Sequence, residues 1–521
     1  MALPDFIERN VTAASGVLSG FSRDSFLSML EASSIVIAID DQAKRFEGRV
    51  AVDLVTNLLA RLYPRITFLT LTKGVSPIVK ELAELARSIN PKIEIKYEPS
   101  GTLVSVVVGA TPVSPKFNPI YVGSDNWLAL LSTTSPARAG LTRNPFGAAA
   151  AACFAAANVF RRVFCLQLPR GLPDSEIVFS LYDFSREREG ANPPLENLEF
   201  GEVYLAGVGA IGNAVVWSLA RLKEAKGVIH LVDHENIELS NLQRYILTRF
   251  EDVRSAKVNL AAEHLRSAGF KVHRHRKRWG QVFATKKKNT CIPCVLTALD
   301  TAKDRIGVQA SLPQSIINAW TQEDNLGVSR HSFLGEGACL ACLYIPQGPV
   351  LNEDQIIASA LRLSDRLMNV RTLLYTNAAV GRDLLSLLAD RWKVPVEALY
   401  PYEQKPLRSF YQQAVCGGAL LKLGADLSGQ GVAVPMAHQS ALAGVMLAAA
   451  WVVDSARQET PEASESTINL LRPLGEYIVR PSRKRSGERC ICQDADFIEA
   501  YRQKYGLASP GGDETGPDAI V

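Results

Sequence analysis

The sequence predicts an α/β protein made of two βαβ halves, each on a parallel sheet, and three observations carry that expectation. Short apolar runs alternate with helical patterns over residues 34–108, the same rhythm restarts at residue 203, and a glycine-rich turn stands in the second run where a strand hands over to a helix. At 521 residues the chain exceeds what one hydrophobic core usually serves, so two domains plus an insertion or tail are expected.

Taken in order, the runs 34–39, 66–71, 93–96 and 103–108 read as short buried strands, with helical patterns such as 50–62 and 76–89 between them. An alanine-rich helix beginning near Asn144-Pro145-Phe146-Gly147 closes this half, and the Pro-, Glu- and Asn-rich stretch 187–197 reads as a linker. The second half repeats the rhythm with strand 203–206, helix 213–222, strand 228–232, helix 258–268 and strand 295–299. Residues 352–408 turn helical and polar, an apolar helix follows near 437–453, and residues 508–521 have the composition of a disordered tail. The expected division is 1–190, 191–350, 351–410, 411–507 and 508–521.

Composition narrows the function. With 47% hydrophobic and 21% charged residues the chain is an ordinary globular protein. A formal charge of +4, from 57 Lys+Arg against 53 Asp+Glu, is too small and too evenly spread for nucleic acid as the main partner. The basic run 271–278 reads as a solvated strand or loop face, with contact to an anionic surface as the alternative. Charge in the first ten residues, where a signal peptide needs an apolar core, leads to the expectation of a cytoplasmic protein. The apolar stretches 146–160 and 441–453 are too short for a bilayer, so no membrane segment is expected. Nine cysteines in such a chain direct attention to metal binding or thiol chemistry rather than to disulfides.

Gly207-Val208-Gly209-Ala210-Ile211-Gly212 follows an apolar strand and opens a helix, a context in which glycines permit a tight turn and let backbone N–H groups approach phosphate. Asp233, ending the next strand, is placed to accept from ribose hydroxyls. Both features suit NAD as well as ATP. What a dehydrogenase does not need is the polar run that follows, Asp233-His234-Glu235-Asn236-Ile237-Glu238-Leu239-Ser240-Asn241-Leu242-Gln243-Arg244.

That run resembles the D-x-D-x-V-x-x-S-N-L-x-R-Q signature of the ThiF, MoeB and ubiquitin-activating superfamily, with Glu235 for the second Asp and Tyr245 for the closing Gln. Lys257, in Ser255-Ala256-Lys257-Val258, is similar to the family's G-K-x-K-V helix start, and Asp300 with Arg305 is similar to its D-N-x-x-x-R. The resemblance covers roughly residues 200–345 and 410–492. It implies two Rossmann-like adenylation halves, the first degenerate and the second active, with ATP as substrate, Mg²⁺ on Asp300 and phosphate contacts from Asn241, Arg244 and Lys257. Chemistry gives these residue types a reason of its own. Attack of a carboxylate on the α-phosphate places negative charge on oxygens that need fixed cations beside them. Mg²⁺ usually takes one or two carboxylates plus the phosphates. For Arg305 an ion pair with Asp304 or a neighbouring helix stands as the structural reading, and the contact of Glu235 is open because it is not the family's Asp.

Cys339-Leu340-Ala341-Cys342 and Cys490-Ile491-Cys492 supply four thiolates in two close pairs, the number a tetrahedral Zn²⁺ needs, at chain positions where the superfamily commonly has such pairs. Cys291 and Cys294 lead into a strand and read as packing. The first half has no glycine fingerprint, and its first strand runs into Asp40-Asp41-Gln42 where a phosphate loop is needed. Phe21-Ser22-Arg23 resembles the short arginine motif that one half of a ubiquitin-activating enzyme lends to the other's ATP site. Cys416 lies in Gln413-Ala414-Val415-Cys416-Gly417-Gly418, before the apolar helix, where the superfamily keeps its reactive cysteine; this implies a thioester. Taken whole, the chain most resembles the activating enzyme of bacterial ubiquitin-like antiphage operons, the BilD type. The partners so implied are a ubiquitin-like protein and a ubiquitin-conjugating-type enzyme, and a homodimer is among the assemblies allowed. A sulfur-carrier or molybdopterin-type adenylyltransferase without conjugation is the alternative.

Overall fold

Residues 34–39 carry six apolar or small side chains without a break, and in the computed structural model all six are buried at the centre of a sheet. The structure describes residues 2–99, 103–186, 190–196, 198–284, 290–345, 352–411, 434–457, 464–474, 478–481, 483–484 and 490–508. After α1 (Ile7–Ser15) and α2 (Arg23–Ala32) come β1 (Ser34–Ile39), α3 (Phe46–Ala60), β2 (Arg65–Thr70), α4 (Ser76–Ile89), β3 (Glu94–Lys96), β4 (Leu103–Val108), β5 (Pro119–Asp125), β6 (Leu128–Ser132), α5 (Phe146–Val163) and β7 (Glu176–Ser180). They form a seven-stranded sheet in the order β3-β2-β1-β4-β5-β6-β7.

The second half runs β8 (Glu199–Ala206), α6 (Ala210–Leu219), β9 (Lys226–Val232), α7 (Lys257–Ser267), β10 (Lys271–His275), α8 (Trp279–Phe283), β11 (Cys294–Thr297), α9 (Ala302–Ala310), β12 (Ser315–Thr321), β13 (Leu326–Ser332) and α10 (Leu340–Tyr344). Strands β14 (Ser464–Ile468) and β15 (Ile478–Pro481) complete an eight-stranded sheet in the order β10-β9-β8-β11-β12-β13-β14-β15. Each half thus has the order third, second, first, fourth, fifth, sixth, seventh. Strand sense agrees too: in both, the first five strands are parallel, the sixth runs against them and the seventh pairs antiparallel with the sixth. Both sheets are therefore mixed, where the sequence had led to the expectation of parallel sheets alone. The antiparallel edge arises because β5 and β6 are joined by a short hairpin turn, which only antiparallel neighbours permit.

Two alanine-rich helices hold the halves together. In the first half α5 lies between β6 and β7, and in the second the closing helix Ala437–Arg457 lies at the corresponding place between β13 and β14. They pack on each other, and each also packs on the helix that follows the first strand of its own half, α3 or α6. Alanine and glycine let the backbones approach: a Cβ on Gly444 would run into Ala214 and Ile211 of α6. By length and composition this helix could cross a bilayer, but 83% of its apolar window is buried inside the fold, as in a core helix.

Between α10 and the closing helix stand the helices Glu353–Ala360, Leu367–Tyr375, Arg382–Trp392 and Leu407–Phe410, with a core of their own that includes Leu385, Leu388, Trp392 and Phe410. A C-terminal helix, Ala495–Tyr505, returns to the second half: the Tyr505 hydroxyl donates to Leu312 O at 2.8 Å and Lys504 Nζ to Ser311 O at 2.7 Å.

Candidate active site

At the end of β8 the chain turns through Gly207, whose φ of +91° is one that L side chains rarely adopt; a Cβ there would lie 2.5 Å from Ala298 O. Gly212 is required for a different reason, since a Cβ on it would meet the Gly207 carbonyl. Gly209 is the N-cap of α6 and leaves bare backbone, with Tyr245 Oη the one atom near the position of a Cβ, at 3.5 Å. The first-turn N–H groups of α6 thus open onto uncovered backbone, as an anion site needs.

Asp233, at the end of β9, accepts from Val208 N at 2.8 Å and from Glu235 N at 2.9 Å. It ties the glycine turn to the turn after β9, and each oxygen keeps a lone pair for a ribose hydroxyl. Lys257 opens α7 and is only 4% exposed; its Nζ donates to Glu235 Oε2 at 2.5 Å and to Tyr245 Oη at 3.0 Å. Burial works against its charge, but Tyr245, Asp233 and Glu235 together outweigh that and hold its pKa above the ordinary lysine range. Glu235, the residue whose contact the sequence left open, is therefore the ion-pair partner of Lys257, and Tyr245 is a site residue that the signature did not supply. Asn241 accepts from Glu238 N at 2.9 Å and so caps its own turn. Arg244 donates to Gln243 at 3.3 Å.

Asp300, just beyond β11, is exposed, and its carboxylate accepts no hydrogen bond from any described residue. Of the candidate residues it is the one whose oxygens are free for a metal, which fits the Mg²⁺ role. Arg305 does not pair with Asp304. Its guanidinium bonds Asn318, Ala319 O at 3.0 Å and Leu299 O at 2.5 Å, while Asp304 pairs with Thr301. Arg305 is a buried clamp on the turn that carries Asp300. A groove of about 490 Å³ begins at these two residues and continues along Trp320, Tyr344, Asn325 and Glu465.

The four candidate zinc ligands come together. Four of the six sulfur pairs lie 3.3 to 3.8 Å apart and all four buried sulfurs are within 4.8 Å of one another, and sulfurs about 2.3 Å from a tetrahedral Zn²⁺ stand roughly 3.8 Å from one another. The donor set fits zinc, which would tie Cys339 and Cys342 beside α10 to Cys490 and Cys492 before the C-terminal helix. Cys294 packs into the core and burial pushes its pKa up to about 12, whereas Cys291 is exposed and does not pack as expected. Cys416 lies outside the described residues. Arg23 is held by Glu8 at 2.6 Å and approaches Asp24 at 3.7 Å, both in the first half.

In the first half the residue after β1 is Asp40, where glycine follows β8. Its carboxylate accepts from Gln42 N at 2.9 Å, Ala110 N at 2.7 Å and Thr111 N at 2.9 Å, and Gly109, at φ +151°, makes room for it. A fixed negative charge and consumed N–H donors occupy the turn.

With this geometry in place, the ThiF family matches residues 182–346, the segment that carries the glycine turn, Asp233, Lys257, Asp300 and Cys339. The second half carries a ThiF domain. The match assigns this half to an ATP-dependent adenylyltransferase family. Prokaryotic E2 family C matches residues 38–165, which here form the sheet from β1 to β6 with α3 to α5. Over 508 residues the chain is 44% identical to the uncharacterized protein y4jF of Sinorhizobium fredii, covering 97% of this chain and 98% of that one, and it belongs to the same family. Solved structures of E. coli MccB are similar to the ThiF-bearing chain at 15% identity and a TM-score of 0.32. One is a complex with AMPCPP and MccA, the other with succinimide; they cover 55% and 56% of this chain. This chain spans 65% and 66% of theirs, just under two thirds.

Proposed function

We propose that this protein activates a ubiquitin-like protein: it adenylates the carrier's C-terminus, captures it as a thioester on Cys416 and passes it to a conjugating enzyme, in a bacterial antiphage system of the BilD type. The observation that carries the adenylation step is the set formed by buried Lys257, Glu235 and Tyr245 beside the bare backbone of Gly209, with the unbonded Asp300 at the mouth of a polar groove. An extended peptide tail suits that groove, whose lining includes Trp320 and Tyr344 with the amides of Gln322 and Asn325 and the carboxylate of Glu465.

Asp233 holds the glycine turn against the ribose, and the N–H groups of α6 with Arg244 and Lys257 face the phosphates. Asp300 would hold Mg²⁺, which would supply screening of the phosphate charge. A carboxylate oxygen of the carrier attacks the α-phosphorus, its bond to pyrophosphate breaks, and an acyl-adenylate forms. Attack by the Cys416 thiolate on the acyl carbon then releases AMP and leaves a thioester. The Asp40-filled turn and the shared strand order support the reading of the first half as a degenerate adenylation half; the match of residues 38–165 to Prokaryotic E2 family C speaks for a different family there.

The thioester step is tested with carrier, ATP and Mg²⁺. The wild type gives a covalent adduct cleaved by thiol reductant, and Cys416→Ala gives none while still exchanging pyrophosphate. A reductant-sensitive adduct that persists in Cys416→Ala places the nucleophile elsewhere.

A further inference from the structure

Arg244 and Lys257 belong to the second half, yet the loop that carries Arg244 and Tyr245 is held from the first. We propose that Arg61 and Asn57 are positioning residues for that loop, an inference that rests on the adenylation reading above. Arg61 stands at the C-terminal end of α3 and is fully buried. Its Nη1 donates to Leu242 O, its Nη2 to Thr248 O at 2.9 Å and its Nε to Asn57 Oδ1 at 2.9 Å. Asn57 Nδ2 in turn donates to Ile246 O at 2.9 Å, and Asn10 Nδ2 of α1 holds the Arg61 carbonyl at 2.8 Å.

The geometry is that of a staple. Leu242 and Thr248 are the two ends of the loop, and the planar guanidinium bonds both, which a lysine ammonium on its flexible stem cannot do with the same fixed fork. Between those ends lie Arg244 and Tyr245, whose hydroxyl is one of the two partners of Lys257 Nζ. Helix α1 packs on the turn Leu239–Gln243 from the same side. On the far side Gln243 Nε2 donates to Pro435 O at 3.3 Å, just ahead of the closing helix. The loop is therefore wedged between the first half and the lead-in to that helix. Burial pushes the Arg61 pKa down to about 9, against the pull of Asp252, so the clamp remains a cation at neutral pH.

A phosphate site works by holding its donors fixed before the substrate arrives. With the staple loosened, Arg244 and Tyr245 sample other positions, and binding must order them again. Sequence motifs give no hint of this, because the residues concerned lie on a half without a nucleotide fingerprint.

The test uses the full chain, with Mg·ATP as probe, and the variants Arg61→Lys and Asn57→Ala. Hydrogen exchange of the peptide 239–248 is expected to quicken at least about 10-fold in Arg61→Lys, with Mg·ATP affinity falling by about the same factor, as loss of a charge-assisted bond implies. Asn57→Ala, which keeps the cation, is expected to show roughly 3-fold changes in the same two readouts. Exchange in β1, β2 and α5 stays at the wild-type rate. Unchanged exchange of 239–248 in both variants overturns the proposal, and so does a loosened loop that binds Mg·ATP as tightly as before, which makes the staple structural only. A wild type that does not bind Mg·ATP overturns the adenylation reading itself; that failure appears without any variant and is thus distinct from a failure of the staple.

Discussion

Tyr245 stands where the superfamily signature has glutamine, and its hydroxyl accepts from Lys257 at 3.0 Å. Removing it leaves the buried ammonium with Glu235 alone. A hydrogen bond to a charged group contributes roughly 1.5–3 kcal/mol, and part is recovered through Glu235, so Tyr245→Phe should raise the KM for ATP about 10-fold with little change in kcat. Pyrophosphate-exchange kinetics measure both, and an unaltered KM speaks against the assignment. His438 makes a second residue-scale case. It is buried at the junction of the closing helix and α5, 6.0 Å from the Phe160 ring, and burial, then the charge of Arg161, push its pKa down to about 3. Its folded pKa lies below the unfolded value near 6.5, so its contribution is complete above pH 6.5 and is lost as pH falls through the window toward 3. His331, lowered to about 4 by burial, acts in the same direction. Urea midpoints should fall between pH 7 and 5, with a slope of up to roughly 1.4 kcal/mol per pH unit for each histidine. The fall should be shallower in His438→Gln, and an identical pH profile for that variant contradicts the assignment.

Among elements, the cysteine cluster joins two segments far apart in sequence, at 339–342 and 490–492, and the C-terminal helix hangs on the second. Structural zinc contributes directly to folding. About one Zn²⁺ per chain is expected by elemental analysis, and Cys490→Ser should release it and lower the melting temperature; protein purified without chelator and free of zinc contradicts this. The legibility of elements follows from their burial. Strands β1, β2 and β4 were readable as near-continuous apolar runs because both faces of the sheet are covered, one by helices such as α3 and α5 and the other by side chains such as Val113 and Ala137, and the glycine turn was readable because backbone geometry dictates residue type. Strands β13 and β14, LGVSRHS and SESTI, carry polar residues such as Arg330 and Ser466 whose burial depends on Asp454 and on neighbouring strands, so no local pattern marked them. Arg61 was missed for the same reason: an arginine in the run NLLARLYP reads as a surface charge until the other half is folded against it.

On the scale of the whole molecule, two sheets of one strand order face each other through α5 and the closing helix, and only one keeps a glycine turn. Gly207 lets the chain pass close to Ala298, whereas in the first half the glycine is on the other strand, Gly109, and Asp40 fills the space. The repeat was visible in the alternation of strands and helices, but the exchange of glycine for aspartate gained physical meaning only when its three backbone donors were located. Carrier-dependent ATP–pyrophosphate exchange tests adenylation most directly. The wild type should exchange label in the presence of its ubiquitin-like protein, and Asp300→Ala and Lys257→Ala should each be slower by at least about 10²-fold with unchanged circular dichroism. A wild type without exchange, or either variant exchanging at the wild-type rate, contradicts it.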